Sequence, residues 1–158
     1  PIVEPEVLMD GNHDIDACDL VSETVLRAVF RELYHQGVKL EGTLLKPNMV
    51  LSGNTCPQQA GIDEVAERTV ACLKRAVPAA VPGIVFLSGG QSDEDATRHL
   101  NAMNKGTSGL PWKLSFSYGR ALQAAPLKAW AGTNVEEAQQ AFYDRAKANG
   151  AACRGAYN

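Results

Sequence analysis

The chain has 158 residues, 45% of them hydrophobic and 21% charged, an ordinary globular balance that excludes whole-chain disorder, collagen-like repeats and coiled coil. With 15 Lys plus Arg against 18 Asp plus Glu the formal charge is -3, so no general attraction draws it to nucleic acid or anionic lipid, and any phosphate must be bound locally. No apolar run approaches the ~18 residues of a membrane span and no basic-then-apolar leader opens the chain, so a cytoplasmic location is expected.

Pro1-Ile2-Val3 reads as a buried strand with no preceding Met, which points to a piece of a longer chain. After Glu4-Pro5-Glu6 and the turn at Asp10-Gly11-Asn12, the segment from Asp14 to Gln36 places Cys18, Val21, Val25, Val29 and Leu33 on one helical face, with Leu26 and Phe30 beside them. Gly37 closes that helix, and Val38 to Leu45 leans towards strand before Lys46-Pro47-Asn48. A loop rich in Gly, Pro, Asn and Ser, from Leu51 to Gly61, precedes a helix in which Ile62, Val65, Ala66, Val70 and Leu73 recur up to Val77; Pro78 and Pro82 end it.

Gly83 to Leu87 is a continuous apolar run, as in a strand covered on both faces, and leads straight into Ser88-Gly89-Gly90. Ser92 and Asp95 resemble a capping box for a helix carrying Ala96, Leu100 and Met103. Lys113 to Tyr118 alternates with period two, and Gly119-Arg120 then opens a helical stretch through Trp130, within which Pro126 predicts a first turn or a break. Asn134 to Asn149 reads as a final helix, N-capped by Asn134, with Val135, Ala138, Phe142 and Ala146 inward.

Strands alternating with helices throughout predict one α/β domain over residues 1–158, its parallel strands joined by right-handed crossovers. Polar residues stand at the C-terminal end of every strand, and a barrel gathers successive strand ends around one mouth whereas an open sheet uses mainly its switch point. That favours a segment of a TIM (β/α)8 barrel.

Lys46 at the tip of an apolar strand would be partly desolvated, which favours the neutral amine that attacks a carbonyl; the plainer reading is a rim lysine with its ammonium in water. Glu4 and Glu6 project the same way from an extended segment and could serve as paired acid and base, or simply form a solvated turn. Ser88-Gly89-Gly90 offers backbone N–H groups and a following helix N-terminus to an anion, and Gly119-Arg120 adds a guanidinium suited to phosphate. Each alone could be an ordinary βα turn, but together they match the phosphate position after successive barrel strands. His13, His35 and His99 have no metal-ligand spacing and read as surface or turn residues, Trp112 and Trp130 read as packing residues, and Cys18, Cys56, Cys72 and Cys153 read as free thiols. No cofactor or metal is expected.

Pro1 to Glu6, Leu40 to Met49 around Lys46, Phe86 to Ser92, Leu100 to Lys105 and Phe116 to Leu122 together resemble the class I, Schiff-base fructose-bisphosphate aldolases, in the correct order along nearly the whole chain. The divergence lies in the loops around Leu51 to Gly61 and Gly106 to Leu110. The resemblance implies the C-terminal half of a TIM barrel, about the last four βα units, with the N-terminal half and C-terminal tail absent. It implies that Lys46 forms an imine with the ketose, that Glu4 is the acid/base with Glu6 close by, and that Leu87, Ser88, Gly89, Ser117, Gly119 and Arg120 surround the C1 phosphate. It implies cleavage of fructose 1,6-bisphosphate to dihydroxyacetone phosphate and glyceraldehyde 3-phosphate, a phosphorylated sugar as substrate with no nucleic-acid or membrane partner, and a homo-oligomer, a homotetramer in the family. Activity of this chain by itself is not expected. The alternatives are a Schiff-base aldolase for another phosphorylated ketose and a non-catalytic half-barrel interaction module.

Overall fold

Strand pairing in the computed structural model, which describes residues 1–106 and 108–158, follows chain order: β1 (Ile2–Val3), β2 (Leu44–Leu45), β3 (Gly83–Phe86) and β4 (Lys113–Phe116) form one sheet, every pair parallel. Between and after them run α1 (Ile15–His35), α2 (Ile62–Ala76), α3 (Asp93–Gly106), α4 (Arg120–Trp130) and α5 (Val135–Ala152). A doubly wound sheet reverses its strand order at a switch point; this one does not.

The helices cover one face. Leu45, Ile84, Phe86 and Leu114 are buried beneath them against Leu26, Phe30, Val65, Val70, Leu73, Leu100 and Met103. Leu44, Val85 and Ser115, on the opposite face, are only half-buried. A sheet covered on one side, with unreversed order, is a stretch of barrel wall whose inner face awaits the rest of the barrel. For that reason β3, read from its apolar run as covered on both sides, is fully packed on its helix side alone.

Local signals account for most element ends. Asp14 caps α1 by accepting from Ala17 N–H at 2.8 Å. Its C-terminus closes in a Schellman pattern, with Gly37 at φ 67° and N–H bonds from Gly37 to Tyr34 O and from Val38 to Leu33 O, both 3.0 Å. Ser92 caps α3, its Oγ accepting from Asp95 N–H at 3.0 Å while donating to the Asp95 carboxylate at 2.7 Å.

Several expectations need correction. Only Leu44–Leu45 of the 38–45 segment is strand; Leu40–Gly42 forms a 3₁₀ turn tied by Thr43 N–H and Oγ1 to Leu40 O. The buried face of α1 is Ile15, Cys18, Asp19, Ser22, Leu26 and Phe30, while Val21 is 46% exposed and Val25, Val29 and Leu33 half-buried. The face turned because polar residues found partners inside: Asp19 takes Arg75 Nη2 at 2.6 Å and Arg68 Nε at 3.0 Å from α2.

Pro126 breaks nothing and lies mid-helix in α4, half-buried where α4 packs on α5. Asn134 occupies the N-cap position of α5 without a capping side-chain bond. Val135 and Phe142, expected inward, are 55% and 46% exposed, and Trp130 is 45% exposed rather than packed. α5 is anchored by Ala152, fully buried in the core, and by polar contacts: the Arg145 guanidinium donates to Asp93 O and Thr97 Oγ1, and Thr97 Oγ1 donates to buried Asn149 Oδ1 at 2.7 Å. Trp112 is buried as expected, its indole N–H on Pro78 O.

Candidate active site

The register that pairs Ile2 with Leu44 and Val3 with Leu45 sets Glu4 beside Lys46 one rung further, with Lys46 N–H on Val3 O at 2.7 Å. Across that rung Lys46 Nζ stands 2.8 Å from Glu4 Oε1. The lysine side chain is 20% exposed and the glutamate 49%. An ammonium must shed a proton before its nitrogen can attack a carbonyl, and a carboxylate at hydrogen-bond distance can take that proton and return it.

The second acid, Glu6, stands near the end of β3: its Oε1 lies 3.9 Å from where a Cβ on Gly89 would stand. Asn48 fixes this geometry. Its Oδ1 accepts from Val7 N–H at 2.9 Å, and its Nδ2 donates to Ser22 Oγ and Met49 O, both at 3.0 Å, so the segment after β1 is tied to β2 and α1. Beyond it the two loops zip together through Asn54 N–H on Met9 O, Gly53 N–H on His13 O and Thr55 N–H on Gly11 O. Gly53 is required there, because a Cβ would fall 2.3 Å from Gly11 O.

Past the last strand residues the ladder continues through Leu87 N–H on Pro47 O at 3.1 Å and Ser117 N–H on Phe86 O at 2.8 Å, which levels the ends of β2, β3 and β4. Ser88 and Leu87 are buried, and Gly89 and Gly90 turn at φ 60° and 95°, conformations that favour glycine. Gln91 N–H closes the turn on Ser88 O at 3.0 Å. Among the described residues, no protein acceptor takes the Gly89 or Gly90 amide, and Arg120 makes no ion pair. Arg120 Nη1 lies 3.8 Å from the Cβ position of Gly90, at the start of α4, where Gly119 holds the N-cap place with no capping side chain. The Gly89 and Gly90 amides and the Arg120 guanidinium are donors left for a phosphate monoester, with the Glu6 carboxylate at the edge of the gap.

The nine predicted residues thus fall at one end of the sheet. Lys46 meets Glu4, Glu6 approaches Gly89, and Gly90 approaches Arg120; Ser117 joins through its backbone, its hydroxyl making no protein hydrogen bond among the described residues. A cavity of about 450 Å³ lies elsewhere, lined by Ile62, Arg98, Asn101 and Tyr157.

The histidine reading needs one correction. His99 is neither a surface nor a turn residue: it is 6% exposed in α3, and burial pushes its imidazole down to about 4. Pattern reading also passed over Asn48, Gln91 and Tyr118, whose hydroxyl donates to Ala96 O at 2.8 Å and ties the end of β4 to α3. A polar side chain next to a strand-end Pro or Gly was the available signal for all three. All four cysteines are free, and burial beside Asp19 pushes the Cys72 thiol up to about 12, which makes it a poor nucleophile. Among the described residues no group of three His, Cys, Asp or Glu could hold a metal ion, and no helix is long and apolar enough to cross a membrane. The divergent loop from Gly106 to Leu110 includes Thr107, which lies outside the described residues.

The glycolytic family model, fructose-bisphosphate aldolase class-I, matches residues 1–158. The chain is 60% identical over 158 residues to a probable fructose-bisphosphate aldolase class 1 of Xanthomonas axonopodis pv. citri, covering 98% of this chain and 47% of that protein. It is 58% identical over 159 residues to fructose-bisphosphate aldolase B of Gallus gallus, covering 99% and 44% respectively. A fructose-bisphosphate aldolase from Plasmodium falciparum, solved in complex with TRAP and a small-molecule inhibitor, matches with a TM-score of 0.97 and 50% identity over 100% of this chain and 46% of that one. The chain spans about half the length of the curated relatives it matches.

Proposed function

The chain belongs to the class I fructose-bisphosphate aldolases, and from that premise we propose that it forms the C-terminal half of a TIM barrel that cleaves fructose 1,6-bisphosphate through an imine on Lys46. The observation that carries the reading is the Lys46–Glu4 pair at 2.8 Å on adjacent strand ends.

In this mechanism Lys46 Nζ, having passed a proton to Glu4, attacks the C2 carbonyl of the open-chain ketose. Glu4 then protonates the carbinolamine hydroxyl, which leaves as water and yields the iminium. A base takes the proton of the C4 hydroxyl, the C3–C4 bond breaks with its electron pair flowing into the iminium, and glyceraldehyde 3-phosphate departs. Protonation of the enamine at C3 and addition of water return Lys46 and release dihydroxyacetone phosphate. Glu6 adds a second carboxylate beside this relay. Leu87, Ser88, Gly89, Ser117, Gly119 and Arg120 surround the C1 phosphate in this reading, with the Gly89 amide, the Ser117 hydroxyl and the Arg120 guanidinium as donors, and hold it at a fixed distance from Lys46, converting encounter into positioned attack. The complete protein is a cytoplasmic homotetramer in this reading.

The test is borohydride trapping with dihydroxyacetone phosphate in the full-length polypeptide, followed by peptide mapping. The label should sit on Lys46, and Lys46→Arg should abolish it while leaving the fold intact, because arginine keeps the charge but cannot form the imine. A label on Lys39 or Lys128 would overturn the assignment.

A further inference from the structure

Behind the turn that presents Gly89 and Gly90 stand two buried side chains that take no part in the chemistry above. Gln91, 9% exposed, donates to the Ser88 carbonyl twice, from its backbone N–H at 3.0 Å and from Nε2 at 2.9 Å. Its Oε1 lies 2.7 Å from Nδ1 of His99, a full helical turn inside α3. With Nε2 committed as a donor, Oε1 must accept, so His99 donates from Nδ1. Burial favours the neutral ring, which makes this the Nδ1–H tautomer.

We propose that His99 and Gln91 are positioning residues for the phosphate site: His99 orients the Gln91 amide, and Gln91 pins the Ser88 carbonyl, so that the Gly89 and Gly90 amides are set before the anion arrives. Two consecutive glycines at positive φ are the most mobile backbone a loop can have, and a loop ordered only by its ligand charges that ordering against affinity. The chain His99 to Gln91 to Ser88 anchors the turn to a rigid helix instead. The inference rests on the reading of Ser88 to Gly90 and Arg120 as the phosphate site.

The experiment compares KM and kcat for fructose 1,6-bisphosphate and for an unphosphorylated ketose in the full-length enzyme. His99→Leu removes the donor while filling similar space, and should raise KM for the phosphorylated ketose roughly tenfold with kcat within about twofold, leaving the unphosphorylated ketose unaffected, because a preset anion grip is felt equally in ground and transition states. Gln91→Met should do the same, and the double variant should be no worse than Gln91→Met alone, since both act through one tie. His99→Asn, whose Nδ2–H stands where the ring Nδ1–H stood, should restore the wild-type KM, an outcome that a purely structural role for the ring would not produce. Equal losses for both ketoses, additive losses in the double variant, or an asparagine no better than leucine would overturn the inference. Arg120→Ala separates the two layers: if it leaves phosphate selectivity intact the phosphate reading fails and the inference with it, whereas if it lowers selectivity and His99→Leu does not, the inference alone fails.

Discussion

Lys46 Nζ and Glu4 Oε1 meet at 2.8 Å across two adjacent parallel strands, yet the lysine side chain is 20% exposed and the glutamate 49%. The amine is held within the wall while the carboxylate keeps contact with water. A proton taken from the amine therefore has a route outward, and a proton needed by a leaving hydroxyl has a route in.

Glu4→Gln should separate that relay from its geometry. The amide oxygen still accepts from Lys46, so the fold and the lysine's position are kept, but the side chain no longer exchanges a proton. In the full-length enzyme kcat should fall by about 10² or more, with the thermal midpoint unchanged. Unaltered turnover would remove Glu4 from the acid/base role.

Arg120→Ala deletes the guanidinium beside Gly90. A charge-assisted contact contributes about 1.5–3 kcal/mol, so affinity for phosphorylated ketoses should drop roughly tenfold or more, with little change for unphosphorylated analogues. Titration calorimetry with both ligand types decides it; equal losses would mean that Arg120 acts on structure.

Acid should weaken the protein through His99. Burial holds its imidazole at about 4 against an ordinary 6.5, with Asp95 opposing the shift. Below pH 6.5 the unfolded chain binds a proton that the folded chain refuses, so this contribution is whole above pH 6.5 and is lost as pH falls from 6.5 towards 4. The difference corresponds to about 3 kcal/mol at most. Denaturant unfolding of the full-length protein across that window should show a steeper loss than His99→Asn, which carries no titrating group there; parallel curves would count against a neutral His99.

The 158-residue span expressed by itself should self-associate or stay poorly soluble, and should lack measurable aldol cleavage. Among the described residues β1 and β4 each leave an edge unpaired, and Leu20 at 70%, Val135 at 55% and Phe142 at 46% exposure add apolar surface. Sedimentation and a cleavage assay check both halves of the statement, and supplying the remaining barrel strands should recover activity. A well-behaved monomer with turnover would show those strands to be dispensable.

The amino-acid sequence by itself determined what is local. The alternation of apolar runs and helical periods placed nearly every element, and the position of Lys46 at a strand tip, of Glu4 and Glu6 after β1, and of glycines followed by Arg120 after β4 assembled the candidate site, because parallel strands in chain order bring all their C-terminal ends to one side. Tertiary structure decided which polar groups could be buried. Asp19 turned the face of α1 inward only because Arg68 and Arg75 meet it from another helix, His99 left the surface only because Gln91 accepts a hydrogen bond from its ring N–H, and Asn48 joined three elements through a single amide. A polar side chain goes inside when its hydrogen bonds are satisfied there, and the partners that satisfy it can stand dozens of residues away, where no periodicity records them. The exposed flanks of α1 and α5 follow from the same cause: a hydrophobic period marks surface that can be covered, and only the three-dimensional arrangement says what covers it.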